Sequence, residues 1–111
     1  MMRIVLPVEE GCLSHSFEDT LCFDVFSVRN HKIIEEVIEE NHLMDPEMLE
    51  QWFVVNGITD VIAFKIRDEV IKVLNKNKIN VFVGVEPKEP KRLVRELISG
   101  TLVTNGKIIR S

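Results

Sequence analysis

The sequence predicts an α/β domain with a mixed sheet of about five strands and three helices. Two observations support this class: short β-branched apolar runs recur along the chain, and helix-spaced apolar stripes alternate with them in the second half. Strands joined by helices run parallel with right-handed crossovers. The 111 residues, 45% of them hydrophobic, fit a single domain over 1–111 with its own core.

The first half predicts a strand, a loop and two further segments. Ile4–Val8 is an almost unbroken apolar run, typical of a strand buried on both faces. Residues 9–20 show no period and predict a loop, whereas Leu21–Val28 alternates as a strand does. A turn follows at Arg29–His31. In residues 32–40, apolar positions 33, 34, 37 and 38 match helix spacing better than strand spacing.

The second half contains clear helix boundaries. Asp45-Pro46 predicts a capped helix start, and Asn56-Gly57 predicts its end. Asp68 is expected to cap a second helix, and Pro90 and Gly100 to bound a third. Residues 61–64 and 79–85 are β-rich runs between them. In the tail, Asn-Gly at 105–106 predicts a type I′ hairpin over 101–110, with a frayed tail as the alternative.

Composition narrows the functional classes. A net charge of −4 disfavours nucleic-acid binding, which needs a basic surface. The cations at 88–95 alternate with glutamates, which is typical of a solvated helix face. Two cysteines, a short N-terminal apolar run and no stretch of about 18 apolar residues predict a cytoplasmic protein without a membrane span.

Candidate chemistry concentrates in the loop after the first strand. Cys12 and His15 place a thiol and an imidazole in one loop, and both are ligands for soft metals. Two ligands are half of a usual four-coordinate site, and Cys22 becomes a third only if the hairpin folds back. The alternative is a free loop thiol and a solvent-facing histidine.

Two other sets of residues are candidates for chemistry. Lys65 and Arg67 precede a predicted helix, where they either meet an anion or remain solvated charges. Asp24, central in a predicted strand, is a candidate metal carboxylate of a nuclease but lacks convincing partners. No Gly-x-Ser-x-Gly elbow frames Ser14, so a nucleophilic triad is not supported.

The order of segments resembles the dinitrogenase iron-molybdenum cofactor biosynthesis family. The resemblance rests on four stretches that together span the chain to about residue 102: Arg3–Val8, Leu13–Phe17 before Phe23, Asp60–Ala63 and Ile79–Gly84. It implies a ribonuclease H-like three-layer fold, with residues 32–39 as the return strand of a hairpin. It also implies an iron–sulfur or iron–molybdenum cluster as ligand.

The resemblance implies a ligand-binding region but also shows departures from the family pattern. The candidate cofactor-binding residues are Cys12, Ser14, His15, Phe17, Lys65 and Arg67. The family's loop histidine and glycine correspond to Ser16 and Glu18, and its Gly-Gly turn is replaced by a stretch that begins with Phe64. Glycines there would let a backbone approach a ligand closely.

Three functional hypotheses follow. The first is a non-catalytic carrier of a metal cofactor that works with a cofactor-accepting protein. The second is an interaction module that has kept the fold and lost the site, with a homodimer through the hairpin edge. The third is an enzyme that binds an anionic substrate through Lys65 and Arg67. Neither nucleic acid nor a membrane is an expected partner.

Overall fold

The computed structural model describes residues 1–41, 45–104 and 108–109. Within these ranges the chain forms three helices and seven strands, two of them only two residues long. The elements in chain order are β1 (Met2–Glu9), β2 (Cys12–Leu13), β3 (Cys22–Arg29), β4 (Lys32–Glu40), α1 (Pro46–Val55), β5 (Asp60–Ile62), α2 (Asp68–Lys76), β6 (Asn80–Phe82), α3 (Pro90–Ser99) and β7 (Ile108–Ile109).

The strands form one mixed sheet in the order β4-β3-β1-β5-β6-β7, with β2 paired to β1. β1, β5 and β6 run parallel, while β3 and β4 continue from β1 as antiparallel neighbours. The predicted α/β class is therefore confirmed. Because the parallel strands share a direction, the loops after β1, β5 and β6 all emerge at the same end of the strands. We call this end of the sheet the carboxyl edge.

Alternation along the strands produces a core on each face of the sheet. Val5 and Val25 lie in the core that α1 and α2 cover, through residues such as Phe53. Ile4 and Phe26 point to the other face, into the core that α3 covers. Helices on both faces explain why β1 contains so few polar residues: both faces of that strand are buried.

Residues 32–40 form a strand, as the family resemblance implied and against their helix-like spacing. Val28 pairs with Ile33 but Ser27 pairs with Glu35, so Ile34 is an extra residue without a partner in β3. This β-bulge puts Ile33 on the face of Val28 and Val37 on the face of Val25, although a regular strand would put both on one face. The bulge thus explains the misleading period.

The helix boundaries follow the sequence with one correction. Asp45 accepts a hydrogen bond from the Met48 amide at 2.8 Å, as a capping residue does. At α2 the predicted cap is wrong: Arg67 is the flanking residue and makes no side-chain cap bond, while Asp68 is the first helical residue. There its carboxylate favourably faces the positive end of the helix dipole.

The C-terminal residues lie beside β6. Thr104 forms an antiparallel bridge with Val85, and Ile108–Ile109 pair antiparallel with Val81–Phe82. The Asn105-Gly106 turn that the sequence predicts lies outside the described residues. Within the described part of the chain, no helix is both long enough and apolar enough to span a bilayer.

Candidate functional site

Two loops meet at the carboxyl edge. Residue Ser16 forms a parallel bridge with Lys65, and the Phe17 amide donates to the Lys65 carbonyl at 3.0 Å. The Arg67 amide donates to Glu18 Oε2 at 3.1 Å. The loop after β1 is therefore fastened to the segment after β5, although 49 residues separate Glu18 from Arg67 in sequence.

A tight turn places Cys12 at this edge. Glu10 and Gly11 both have positive φ, 51° and 80°, as the central residues of a type I′ turn require. The turn folds β2 back on β1, so that Cys12 pairs with Glu9. The Leu13 amide donates to the Lys88 carbonyl at 2.9 Å, which joins this hairpin to the loop after β6.

Cys12 and His15 line one depression of about 340 Å³. Both side chains are exposed, and Cys12 is a free thiol. The His15 ring meets Phe64 edge-on, with the ring centres 5.4 Å apart and the planes at 87°. This contact fixes the imidazole beside the depression. Glu9 and Glu10 line the same depression, so carboxylates share it with the two soft ligands.

Two of the candidate cofactor-binding residues, Ser14 and Phe17, contact other residues of the domain. The Ser14 side chain is buried, and its hydroxyl lies 3.2 Å from the Ser16 carbonyl and 3.4 Å from Glu9 Oε2, to one of which it donates. Phe17 is fully buried, with ring centres 5.1 Å from Phe23 and 6.1 Å from Phe53. Phe17 thus anchors the loop in the core.

The two cations lie next to this loop but do not line the depression. The Lys65 ammonium stands 5.8 Å from the centre of the Phe64 ring, within cation–π range. Arg67 Nε is 3.8 Å from Glu18 Oε1, and its Nη1 is 3.5 Å from Glu69. Two carboxylates therefore already neutralise Arg67.

Sequence reasoning missed the contribution of the loop after β6. Pro87 lines the depression beside Cys12, and Lys88 lines a second one of about 220 Å³ together with Phe64 and Val103. Since His15 contacts Phe64, the two depressions are neighbours. Gly84, with a positive φ of 72°, lies where this loop begins. A glycine at the end of the β-rich run was the sequence signal that could have indicated the loop.

The donor set is too small for a bare metal ion. Across the described ranges, no three His, Cys, Asp or Glu side chains cluster in a way that could hold one. A thiol and an imidazole fit a preassembled cluster instead, because sulfides supply most of the ligands in such a group.

Asp24, the nuclease candidate, lies on the α3 face of the sheet. It is 3% exposed, and its Oδ1 has no hydrogen-bond partner among the described residues. Burial, with a hydrogen bond to Glu36 and the charge of Glu36, raises the pKa of Asp24 from 3.8 to about 8, and Lys91 opposes this. A carboxyl group that is protonated at neutral pH is a poor metal ligand.

The fold and the loop pair describe a small α/β domain with a shallow depression at its carboxyl edge. The family model described as dinitrogenase iron-molybdenum cofactor matches residues 1–100. The chain therefore belongs to the dinitrogenase iron-molybdenum cofactor family, as the order of its segments indicated. No curated protein matches it.

Solved structures share the fold at low sequence identity. The protein PH0822 superposes with a TM-score of 0.84 at 20% identity, over 94% of this chain and 95% of that one. The apo orange protein of Desulfovibrio gigas gives 0.79 at 15%, over 99% and 98%. MJ0327 of Methanocaldococcus jannaschii gives 0.76 at 19%, over 99% and 97%.

Proposed function

We propose that this chain is a non-catalytic carrier of a preassembled iron–sulfur or iron–molybdenum cluster, which it passes to an accepting protein. The single observation that supports this function most directly is that Cys12 and His15 line one depression at the carboxyl edge. In open α/β sheets, ligands characteristically bind beyond the carboxyl ends of the parallel strands. Family membership supports the same cargo class.

A carrier has to release its cargo, and an incomplete ligand set suits that task. One thiolate and one imidazole can attach to a cluster at open positions while leaving most of its coordination to its own sulfides. In this proposal Cys12 and His15 are the ligands. Ser14 and Phe17 hold the loop in shape, and Lys65 supplies positive charge beside an anionic cluster. Arg67, which pairs with Glu18 and Glu69, fastens the loop to the segment after β5.

Non-catalytic status is part of the proposal. The Ser14 hydroxyl lies 3.4 Å from Glu9 Oε2 and 3.2 Å from the Ser16 carbonyl, so its proton is directed to one of these oxygens and not to an imidazole base. The Arg67 guanidinium is engaged by two carboxylates, which lowers its availability for an anionic substrate.

A second function, an interaction module without a cofactor, is favoured by one observation. Glu9 and Glu10 line the same depression as the two soft ligands, and their charges would repel an anionic cluster. In that case the carboxyl edge contacts a protein, and a homodimer is the simplest assembly.

Metal and sulfide analysis of protein purified without oxygen tests the carrier function. Wild type is expected to retain iron and sulfide, with or without molybdenum, after reconstitution with the cluster components. Cys12→Ser/His15→Ala is expected to lose them. Cys22→Ser is the matched control, because Cys22 is the other free thiol and does not line the depression.

The two functions predict different results. Retention by wild type and Cys22→Ser, with loss in the double variant, supports a carrier that uses this depression. Equal retention in all three proteins rejects the depression as the site. A metal-free wild type that sediments as a dimer rejects the carrier and supports the interaction module.

A further inference from the structure

A groove with an uneven charge distribution lies at the end of the sheet opposite the carboxyl edge. Two depressions of about 350 and 330 Å³ both include His31 and Ile98 in their linings, so they form one continuous groove. It runs between the β3–β4 turn and the C-terminal half of α3. We call it the basic groove, because Lys32 and Arg95 line it and no acidic side chain among the described residues does.

Its cations are available for a ligand. Lys91 and Arg92 on the same helix bind Glu36 at 4.0 Å and Glu96 at 3.2 Å. Within the described parts of the chain, Lys32 and Arg95 form no ion pair, and both are exposed. In a chain of net charge −4, two unpaired cations beside one groove attract a negatively charged partner.

The floor of the groove is apolar. Ile33, Leu97 and Ile98 are partly buried against the core beneath α3 and present an apolar surface in the groove. The β3–β4 turn beside the groove has two residues, Asn30 and His31. Their φ values are 51° and 63°, as a type I′ hairpin requires.

From these features we infer that the basic groove is a docking surface for an acidic, partly apolar segment of a partner protein. Carboxylates of that segment would pair with Lys32 and Arg95, while its apolar side chains cover Ile33 and Ile98. A protein segment fits better than nucleic acid, because the groove offers two unpaired cations on a chain of net charge −4, whereas nucleic-acid affinity needs many phosphate contacts. This inference is independent of the proposed cofactor function, since the groove lies at the end of the sheet opposite the carboxyl edge.

Fluorescence anisotropy with a labelled helical peptide of Glu and Leu tests this inference. The charge-reversed peptide of Lys and Leu, a DNA duplex and phosphatidylserine vesicles are the competing probes. The double variant Lys32→Glu/Arg95→Glu should weaken binding of the acidic peptide by about tenfold or more. Lys72→Glu/Lys78→Glu, which changes net charge equally at exposed positions away from the groove, should stay within about twofold.

Amide chemical-shift mapping on wild type provides a readout that does not depend on the variants folding. Binding of the acidic peptide with shifts concentrated at residues 30–33 and 95–98, and lost in the groove variant alone, supports the docking surface. Equal weakening of acidic-peptide binding in the two double variants overturns the proposed docking surface. So does tighter binding of DNA, vesicles or the basic peptide, or the lack of any acidic-peptide binding at millimolar concentration.

Discussion

Replacing Asp24 by Asn is expected to change how the free energy of unfolding depends on pH. Asp24 is 3% exposed, and its Oδ1 has no partner among the described residues. Its pKa is raised to about 8, first by burial and then by Glu36. The folded protein therefore keeps Asp24 protonated at pH values at which the unfolded chain ionises it.

The sign and size of the effect follow from proton linkage. Below 3.8, the ordinary value, both states are protonated and Asp24 imposes no pH-dependent cost. Between that pH and about 8, Asp24 is ionised in the unfolded chain and protonated in the folded one, so folding takes up a proton. The free energy of unfolding of wild type therefore falls by about 1.4 kcal/mol per pH unit. At neutral pH the accumulated cost is about 4 kcal/mol. An asparagine cannot ionise, and Asp24→Asn removes this cost.

Urea unfolding at a series of pH values measures the effect. The single tryptophan, Trp52, stacks on Phe23 with ring centres 6.4 Å apart and reports the packing of α1 on the sheet. The stability of Asp24→Asn relative to wild type should increase from about pH 4 to about pH 8. Glu36→Gln should narrow that pH range, because it removes the negative charge of Glu36, which is one of the causes that raise the pKa of Asp24.

Parallel stability curves for wild type and Asp24→Asn across that range would refute the reasoning. They would mean that Asp24 titrates alike in the folded and unfolded states. A change that is the same at every pH would show only the altered packing of an amide.

Two further predictions concern packing and capping. Phe17→Ala should lower the free energy of unfolding by about 3–5 kcal/mol, because it leaves a cavity beside Phe23. Leu21→Ala, at a side chain that is 80% exposed, should leave stability nearly unchanged, and equal losses in urea titrations would contradict the packing argument. Asp45→Ala should cost about 1 kcal/mol through the lost bond to the Met48 amide. Asp45→Asn, which keeps an acceptor, is its control, and a similar loss in that variant would show that the cap bond is not the cause.

Most elements could be predicted because local chemistry determined them. Asp45-Pro46 begins a helix and Gly100 ends one, as their capping preferences indicate. Residues 32–40 were predicted correctly only through the family resemblance, because the unpaired Ile34 reverses the faces of the residues after it. A bulge depends on pairing with a neighbouring strand, and a one-strand pattern does not reveal it.

The candidate site was less predictable, since it is assembled from three loops. The thiol and imidazole of Cys12 and His15 stand close together in the sequence and were visible there. The approach of Phe64 to His15, and that of Pro87 to Cys12, depends on where β5 and β6 end beside β1. The internal partners of Ser14 could not be anticipated either, because side-chain direction in an irregular loop has no period.

The bulged strand β4 also affects how copies of this protein meet. In the described part of the chain it pairs with β3 alone, so its other side is a free edge that bears exposed Ile34 and Ile38. Such an edge is a template for stacking chains into aggregates. Here the extra residue interrupts the even spacing of amides, and glutamates at 35, 36, 39 and 40 repel an identical edge. The irregularity that hides the strand in the sequence therefore also helps to keep concentrated protein from aggregating.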